Sequence, residues 1–193
     1  MMALQMANEP HPVIPAGAPT GYRINTLKQA PSLVLRAELD EVLLEYYSTI
    51  IQKLGEAGCP PLYTPQELKA SFWPNLHSYL SPTGRLFLVQ DADGRLVGCG
   101  TLHQVRPDAC EVKRLYIRPE AEGHGLGRAV IRAWIAAAHE IGVSRILLNV
   151  IKSNLTPIRI YESLGFKRIV RYPECADPIE VDPYFVYLEY EVT

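Results

Sequence analysis

Apolar positions along this chain change their spacing more than once, and the changes mark out its elements. Between Ser32 and Gly55 they recur at Leu35, Leu39, Val42, Leu43, Tyr46 and Ile50. That is the 3.6-residue period of a helix with one buried stripe, and Ser32 stands where its first turn needs a cap. Thr64, Pro65, Gln66 and Glu67 then combine a cap, a proline that a first turn tolerates and an acid. They predict a second helix running toward Leu80. Beyond it the pattern becomes extended. Residues 22–27, 86–90, 96–101 and 111–117 read as strands, with Asp91, Ala92, Asp93 and Gly94 forming a hairpin turn between the second and third.

The helical period returns at Leu126, Val130, Ala133, Trp134, Ala137 and Ile141, and Gly142 closes that helix. Residues 146–151 are apolar apart from one Asn, as a central buried strand would be. A short helix is expected over 157–164, ended by Gly165, and strands over 166–172 and 184–192. Strands first, then strand–helix–strand–helix–strand, predict a mixed α/β sheet. Residues 1–21, with Pro10, Pro12, Pro15 and Pro19, read as a flexible arm on a single domain over 22–193.

Composition narrows the function classes. Hydrophobic residues make up 48% of 193, enough for a full core. A net charge of −2 gives no broad basic surface for nucleic acid. No apolar run reaches the roughly 18–20 residues of a membrane span, and the start lacks the basic and apolar regions of a secretory leader. Cys59, Cys99, Cys110 and Cys175 are scattered, with no metal-ligand spacing. They predict free thiols, a reducing cytoplasmic setting and no metal.

The chemistry concentrates in residues 110–127, CEVKRLYIRPEAEGHGLG, which read as strand, glycine-rich loop and helix start. Gly123, Gly125 and Gly127 remove side chains where the unpartnered amides of a helix N-terminus could meet a diphosphate. The spacing is G-x-G-x-G, not the dinucleotide G-x-G-x-x-G, and Arg128-Ala129 follow where a P-loop needs Lys and Ser or Thr.

The segment EGHGLGRAVIRAW, preceded by EVKRLYIRPEA, resembles the acetyl-CoA loop of the GCN5-related N-acetyltransferases (GNAT). Residues 154–166, NLTPIRIYESLGF, resemble a second segment of that family, with Asn154, Tyr161, Gly165 and Phe166 at matching spacing. Glu122 departs from the Gln or Arg usual at its position and asks for a compensating Arg128 or Arg118. The resemblance covers roughly residues 85–190. It implies a mostly antiparallel sheet with splayed central strands and flanking helices, and acetyl transfer from acetyl-CoA to a primary amine by direct attack.

Acetyl transfer needs a base for the ammonium, donors for the carbonyl oxygen and a proton for the leaving thiolate. By resemblance, Tyr161 would be the acid and Glu111 the base. Leu115, Tyr116 and Ile117 would act through their backbone. Glu122, Gly123, His124, Gly125, Leu126, Gly127, Arg128 and Asn154 would hold the cosubstrate, with helix capping the plainer role for Asn154. Alternation puts Glu111, Lys113, Leu115 and Ile117 on one side of their strand and Val112, Arg114, Tyr116 and Arg118 on the other. Glu111 could equally be an ion-pair partner of Lys113 or Arg114. His77, His103 and His139 have no partner motif. Loops near 60–80 and 172–184, the second holding Glu174, Asp177, Glu180 and Asp182, would shape the acceptor site. The rival readings are an acyl-CoA-binding regulatory module and a nucleotide-binding interaction protein. A homodimer is compatible with the family.

Overall fold

The computed structural model describes the backbone of residues 11–12, and residues 19–27 and 29–192. Its strands are β1 (His11–Pro12), β2 (Arg23–Leu27), β3 (Gly84–Gln90), β4 (Leu96–Arg106), β5 (Ala109–Ile117), β6 (Arg145–Ile151), β7 (Lys167–Ile169) and β8 (Phe185–Glu191). The helices are α1 (Leu33–Glu56), α2 (Pro65–Phe72), α3 (Leu126–Ile141) and α4 (Leu155–Ser163). The eight strands form one sheet in the order β1-β2-β3-β4-β5-β6-β8-β7. Every neighbouring pair is antiparallel except β5 and β6, which run parallel through the α3 crossover.

The local signals act as expected at most helix ends. Leu35 N–H donates to Ser32 Oγ at 3.3 Å. Thr64 and Glu67 form a reciprocal capping box around Pro65. Gly142 closes α3 with φ of 85°, a conformation that costs a Cβ-bearing residue roughly 1 kcal/mol or more. Four expectations are corrected. The second helix stops at Phe72 and tightens into a 3-10 turn over Trp73–Tyr79, where Pro74 removes a donor. The strand expected at 96–101 extends to Arg106 and pairs with β5 along its length. The strand expected at 166–172 shrinks to Lys167–Ile169, and residues 179–184 become a 3-10 turn before β8. The proline-rich arm contributes an edge strand, His11–Pro12, paired with Thr26 and Asn25. The rest of that arm, except residues 19–21, lies outside the described residues.

Both faces of the sheet are covered, and strand alternation divides the core. Phe87, Val89, Leu102 and Val112 pack with α3 and α4 on one face. Leu86, Leu88, Leu96 and Cys99 pack with α1, Phe72 and Tyr79 on the other. Because β3 is buried on both faces, its apolar run is continuous rather than alternating. Trp134 on α3 is fully buried, and an added Cβ at Gly100 of β4 would stand 2.9 Å from its ring. Gly100 therefore lets α3 approach the sheet closely. A smaller cluster of Ala109, Leu147, Tyr172, Cys175 and Tyr187 fixes the segment after β7 against the start of β5. Cys59, Cys99, Cys110 and Cys175 are buried free thiols.

Candidate active site

Two irregularities in β5 build the site. The first is a bulge. Cys99 pairs with Tyr116 and Thr101 with Lys113, so Gly100 alone faces both Arg114 and Leu115. Two residues opposing one kink a strand and leave part of the ladder unpaired. Arg114 absorbs the kink with φ of 58°, among the described residues the one non-glycine with positive φ. The second irregularity is a splay. The parallel ladder with β6 ends at the pair Glu111–Leu147, so from Val112 onward β5 has no pairing on that side.

The bulge overturns the expected alternation. Glu111 and Lys113 point to the α1 face, and Arg114 joins them there instead of opposing them, bonding Tyr47 of α1 and Tyr79. Tyr116 also packs on the α1 side, while Leu115 and Ile117 turn to the α3 side with Val112. Uniform period-2 reasoning fails here because one inserted residue reverses the facing of everything after it.

The glycine-rich loop leads from Ile117 into α3. Gly123 and Gly125 have φ of 79° and 78°, and Gly125 is the N-cap without a side-chain bond. The first turn carries no acid, and a Cβ at Gly127 would meet nothing within 4 Å. The helix N-terminus is therefore bare, uncapped and open, which suits a diphosphate. Glu122, Gly123, His124 and Gly125 are exposed, Leu126 is buried in the α3 cluster, and Gly127 and Arg128 are half-buried. His124 is turned back on its own loop: Nδ1 lies 2.9 Å from the Glu122 carbonyl and the ring packs on Tyr22. Arg118 does not face the loop. Its guanidinium binds Glu45 at 2.8 and 2.9 Å and the Leu96 carbonyl at 3.1 Å.

Tyr161 lies on α4, buried on the α3 face, with its ring 5.3 Å from that of Phe166. Burial holds its phenol above the ordinary value, so it keeps its proton at neutral pH. Leu115, Leu126 and Tyr161 share one apolar cluster. Asn154 is the N-cap residue of α4 but makes no side-chain cap bond. Its Oδ1 accepts from Lys53 Nζ of α1 at 3.0 Å, so the expected capping role gives way to a tie between the two helical layers.

Glu111 is 2% exposed and sits at the centre of a polar cluster on the opposite face. Tyr172 Oη donates to its Oε1 at 2.5 Å. Lys113 Nζ stands 3.4 Å from Oε1, and His103 Nε2 stands 3.6 Å from Oε2. Lys113 also reaches Asp177 Oδ1 at 3.4 Å, and Asn149 of β6 donates to Asp177 Oδ2 at 2.5 Å. Lys113 and Asp177 thus bridge the two splayed strands. Burial raises the Glu111 carboxyl above the ordinary range, although the Lys113 charge and the Tyr172 bond pull it back in part. Burial works the same way on Asp177, but there the Lys113 charge and the Asn149 bond prevail and hold it low. His103 is pushed down to about 4 by burial and by the Lys113 and Arg114 charges, so it is neutral, and its Nδ1 is buried without a partner.

The ion-pair reading of Glu111 thus holds for Lys113 and fails for Arg114. Three features of this cluster escaped sequence reasoning: the places of His103 and Tyr172 and the bridging role of Asp177. Tyr172 and Asp177 lie in the flagged 172–184 segment, and Tyr79 in the flagged 60–80 segment, but no spacing rule joins either to β5. Among the described residues no group of His, Cys, Asp and Glu could hold a metal ion. None of the described helices is long and apolar enough to cross a membrane.

Comparison with known proteins agrees with this architecture. The model of the acetyltransferase (GNAT) family matches residues 29–166. An uncharacterised N-acetyltransferase of Schizosaccharomyces pombe is 33% identical over 119 residues, which cover 61% of this chain and 70% of that relative. The chain spans smaller shares of other relatives, such as 30% of a mycothiol acetyltransferase from Thermomonospora curvata. The crystal structure of an acetyltransferase of the GNAT family from Staphylococcus aureus superposes with a TM-score of 0.68 at 16% identity, covering 88% of this chain and 99% of that one. Spermidine N-acetyltransferase from Vibrio cholerae, in complex with CoA and spermine, gives 0.61 at 17% identity over 90% and 96% of the two chains. With a bulged and splayed sheet, a bare glycine-lined helix N-terminus and a family match over most of its length, this chain belongs to the GNAT acetyltransferase family.

Proposed function

We propose that the chain is an N-acetyltransferase that uses acetyl-CoA to acetylate a primary amine by direct attack, and that residues 22–193 form its one catalytic domain. The observation that carries this reading is the splay of β5 from β6 beside the open N-terminus of α3. Acetyl-CoA would supply the acetyl thioester. The amides of Gly123 to Arg128 would hold its diphosphate, with Arg128 offsetting the Glu122 carboxylate. The unpaired edge of β5 at Leu115, Tyr116 and Ile117 would hold the pantetheine, and Leu115 N–H would donate to the acetyl carbonyl oxygen as it gains charge. Asn154 would border the same groove.

Glu111 and Tyr161 divide the proton work. Glu111 would take a proton from the acceptor ammonium, through water, freeing the lone pair that attacks. Its raised carboxyl brings its proton affinity closer to the working pH than an exposed glutamate would have. Tyr161, kept protonated by burial, would supply the leaving sulfur with a proton. The two lie on opposite faces of the sheet, so amine and thioester would meet from opposite sides of the splay.

Release of free CoA from acetyl-CoA across a panel of primary amines tests the reading. Saturable, amine-dependent release with a matching gain of one acetyl group on the amine is expected. Tight CoA binding without release on any amine would replace this reading with a binding module.

A further inference from the structure

Arg114 carries an unmet charge. Its Nε donates to Tyr47 Oη at 2.8 Å, and its Nη1 to Tyr79 Oη at 2.9 Å and Thr101 Oγ1 at 3.3 Å. Its guanidinium carbon lies 4.8 Å from the centroid of the Tyr79 ring and 5.3 Å from that of Phe72. Among the described residues no carboxylate pairs with it, whereas Lys113 and Arg118 on either side of it each have one. Among the described residues its Nη2 makes no hydrogen bond, and Arg114 is partly exposed. A guanidinium presents five donors in a fixed fork suited to a carboxylate. Here hydroxyls and ring faces hold the fork in place and leave one arm open.

The position is as telling as the missing partner. The bulge places Arg114 immediately before Leu115, on the α1 face that it shares with Glu111 and Lys113. At the Glu111 end two carboxylates, Glu111 and Asp177, face the single ammonium of Lys113. At the Arg114 end a cation stands among hydroxyls. An excess of negative charge beside an unpaired guanidinium is the complement of a zwitterion. Resting on the acetyltransferase reading, we propose that Arg114 binds a carboxylate of the acceptor, so that the acceptor is an amino acid or a close relative carrying a carboxylate near its amine. The amine then lies toward Glu111 and the carboxylate toward Nη2. The cost of a positive-φ arginine at the bulge is explained by this placement: an ordinary bulge residue facing the α3 side could not deliver the charge there.

The twenty amino acids and their matched C-terminal amides test this with the whole protein. CoA release from acetyl-CoA should favour the best amino acid over its own amide by about tenfold or more in kcat/KM, as a charge-assisted pair commonly confers. In Arg114→Met that ratio should fall to within about threefold, with CoA binding retained as the sign of an intact fold. Amides that react as well as their acids in the wild-type protein overturn the proposal without need of the variant. A ratio that persists in a folded Arg114→Met variant overturns it as well. Should no acceptor be acetylated, the acetyltransferase reading fails, and thermal shifts on the CoA-saturated protein decide the binding claim by themselves. Stabilisation by amino acids and not by their amides sustains it, and equal effects end it.

Discussion

Tyr172 donates its hydroxyl proton to Glu111 Oε1 at 2.5 Å, joining residues 61 apart through a bond buried from solvent. Tyr172 also anchors the segment after β7 by packing its ring edge-on to Tyr187, at 5.8 Å between centroids. The proposed base and the loop over the acceptor side are therefore held by one side chain. The bond stabilises the carboxylate form and opposes the rise that burial imposes. It leaves Glu111 Oε2 to His103, whose Nε2 stands 3.6 Å away.

Tyr172→Phe should move the acidic limb of the pH–rate profile upward. The phenol is a donor to a charged acceptor, worth roughly 1.5–3 kcal/mol, and about 1.4 kcal/mol corresponds to one pH unit. Removing it favours the protonated carboxyl, so a shift of about one unit toward higher pH is expected, with little change in CoA affinity. A limb that stays in place would separate Tyr172 from the proton transfer.

Glu111→Gln should lower activity at neutral pH and restore part of it as pH rises, because solvent then supplies more of the free amine. The sign follows from the raised carboxyl: wild-type activity is lost as pH falls through its pKa, and the amide has no such titration. The acidic limb should disappear. A variant with the wild-type profile at full rate would assign Glu111 to the Lys113 ion pair alone.

Tyr161→Phe keeps the ring against Phe166 and removes the proton. Turnover should fall by ~10²–10⁴ with acetyl-CoA affinity preserved, as measured by steady-state kinetics and calorimetry. Unchanged turnover in a folded variant would make Tyr161 a packing residue.

Gly127→Asp separates binding from folding. Apart from its chain neighbours and its own helix backbone, no atom lies within 4 Å of the added Cβ, and an acid in the first turn of a helix favours the helix by about 0.3–1 kcal/mol. The melting temperature should hold or rise while CoA binding is lost to clash and repulsion. Gly125→Asp should lose both, since its φ of 78° suits glycine. Retained CoA affinity in Gly127→Asp would move the diphosphate away from this loop.

Local chemistry was legible where it needs only neighbours in the chain. Ser32 and the Thr64–Glu67 box declare helix starts because capping is a three-residue event. The α3 stripe declares its buried face because a helix repeats every 3.6 residues. Gly125 and Gly142, both with positive φ, mark the two ends of α3, and the loop that opens it could be read from composition and spacing. The resemblance carried by Asn154, Tyr161, Gly165 and Phe166 placed the mixed sheet and its splay.

Tertiary structure decided what depends on distant partners. The bulge at Arg114 and Leu115 exists because β4 offers one residue against two, and no pattern within β5 announces it. That single insertion put Arg114 on the same face as Glu111 and turned Leu115 to the other face. His103, Tyr172 and Asp177 gather around Glu111 and Lys113 only because β4, the segment after β7 and β5 converge in space. Arg118 looked free for phosphate until α1 supplied Glu45, 73 positions away. Sequence by itself determined the order and type of most elements, the family resemblance and the loop, because each rests on patterns a few residues long, while several element ends moved on folding. The direction in which each charged side chain of β5 faces, and the partner it meets, emerged only when the strands were paired, since register and burial are properties of the assembled sheet.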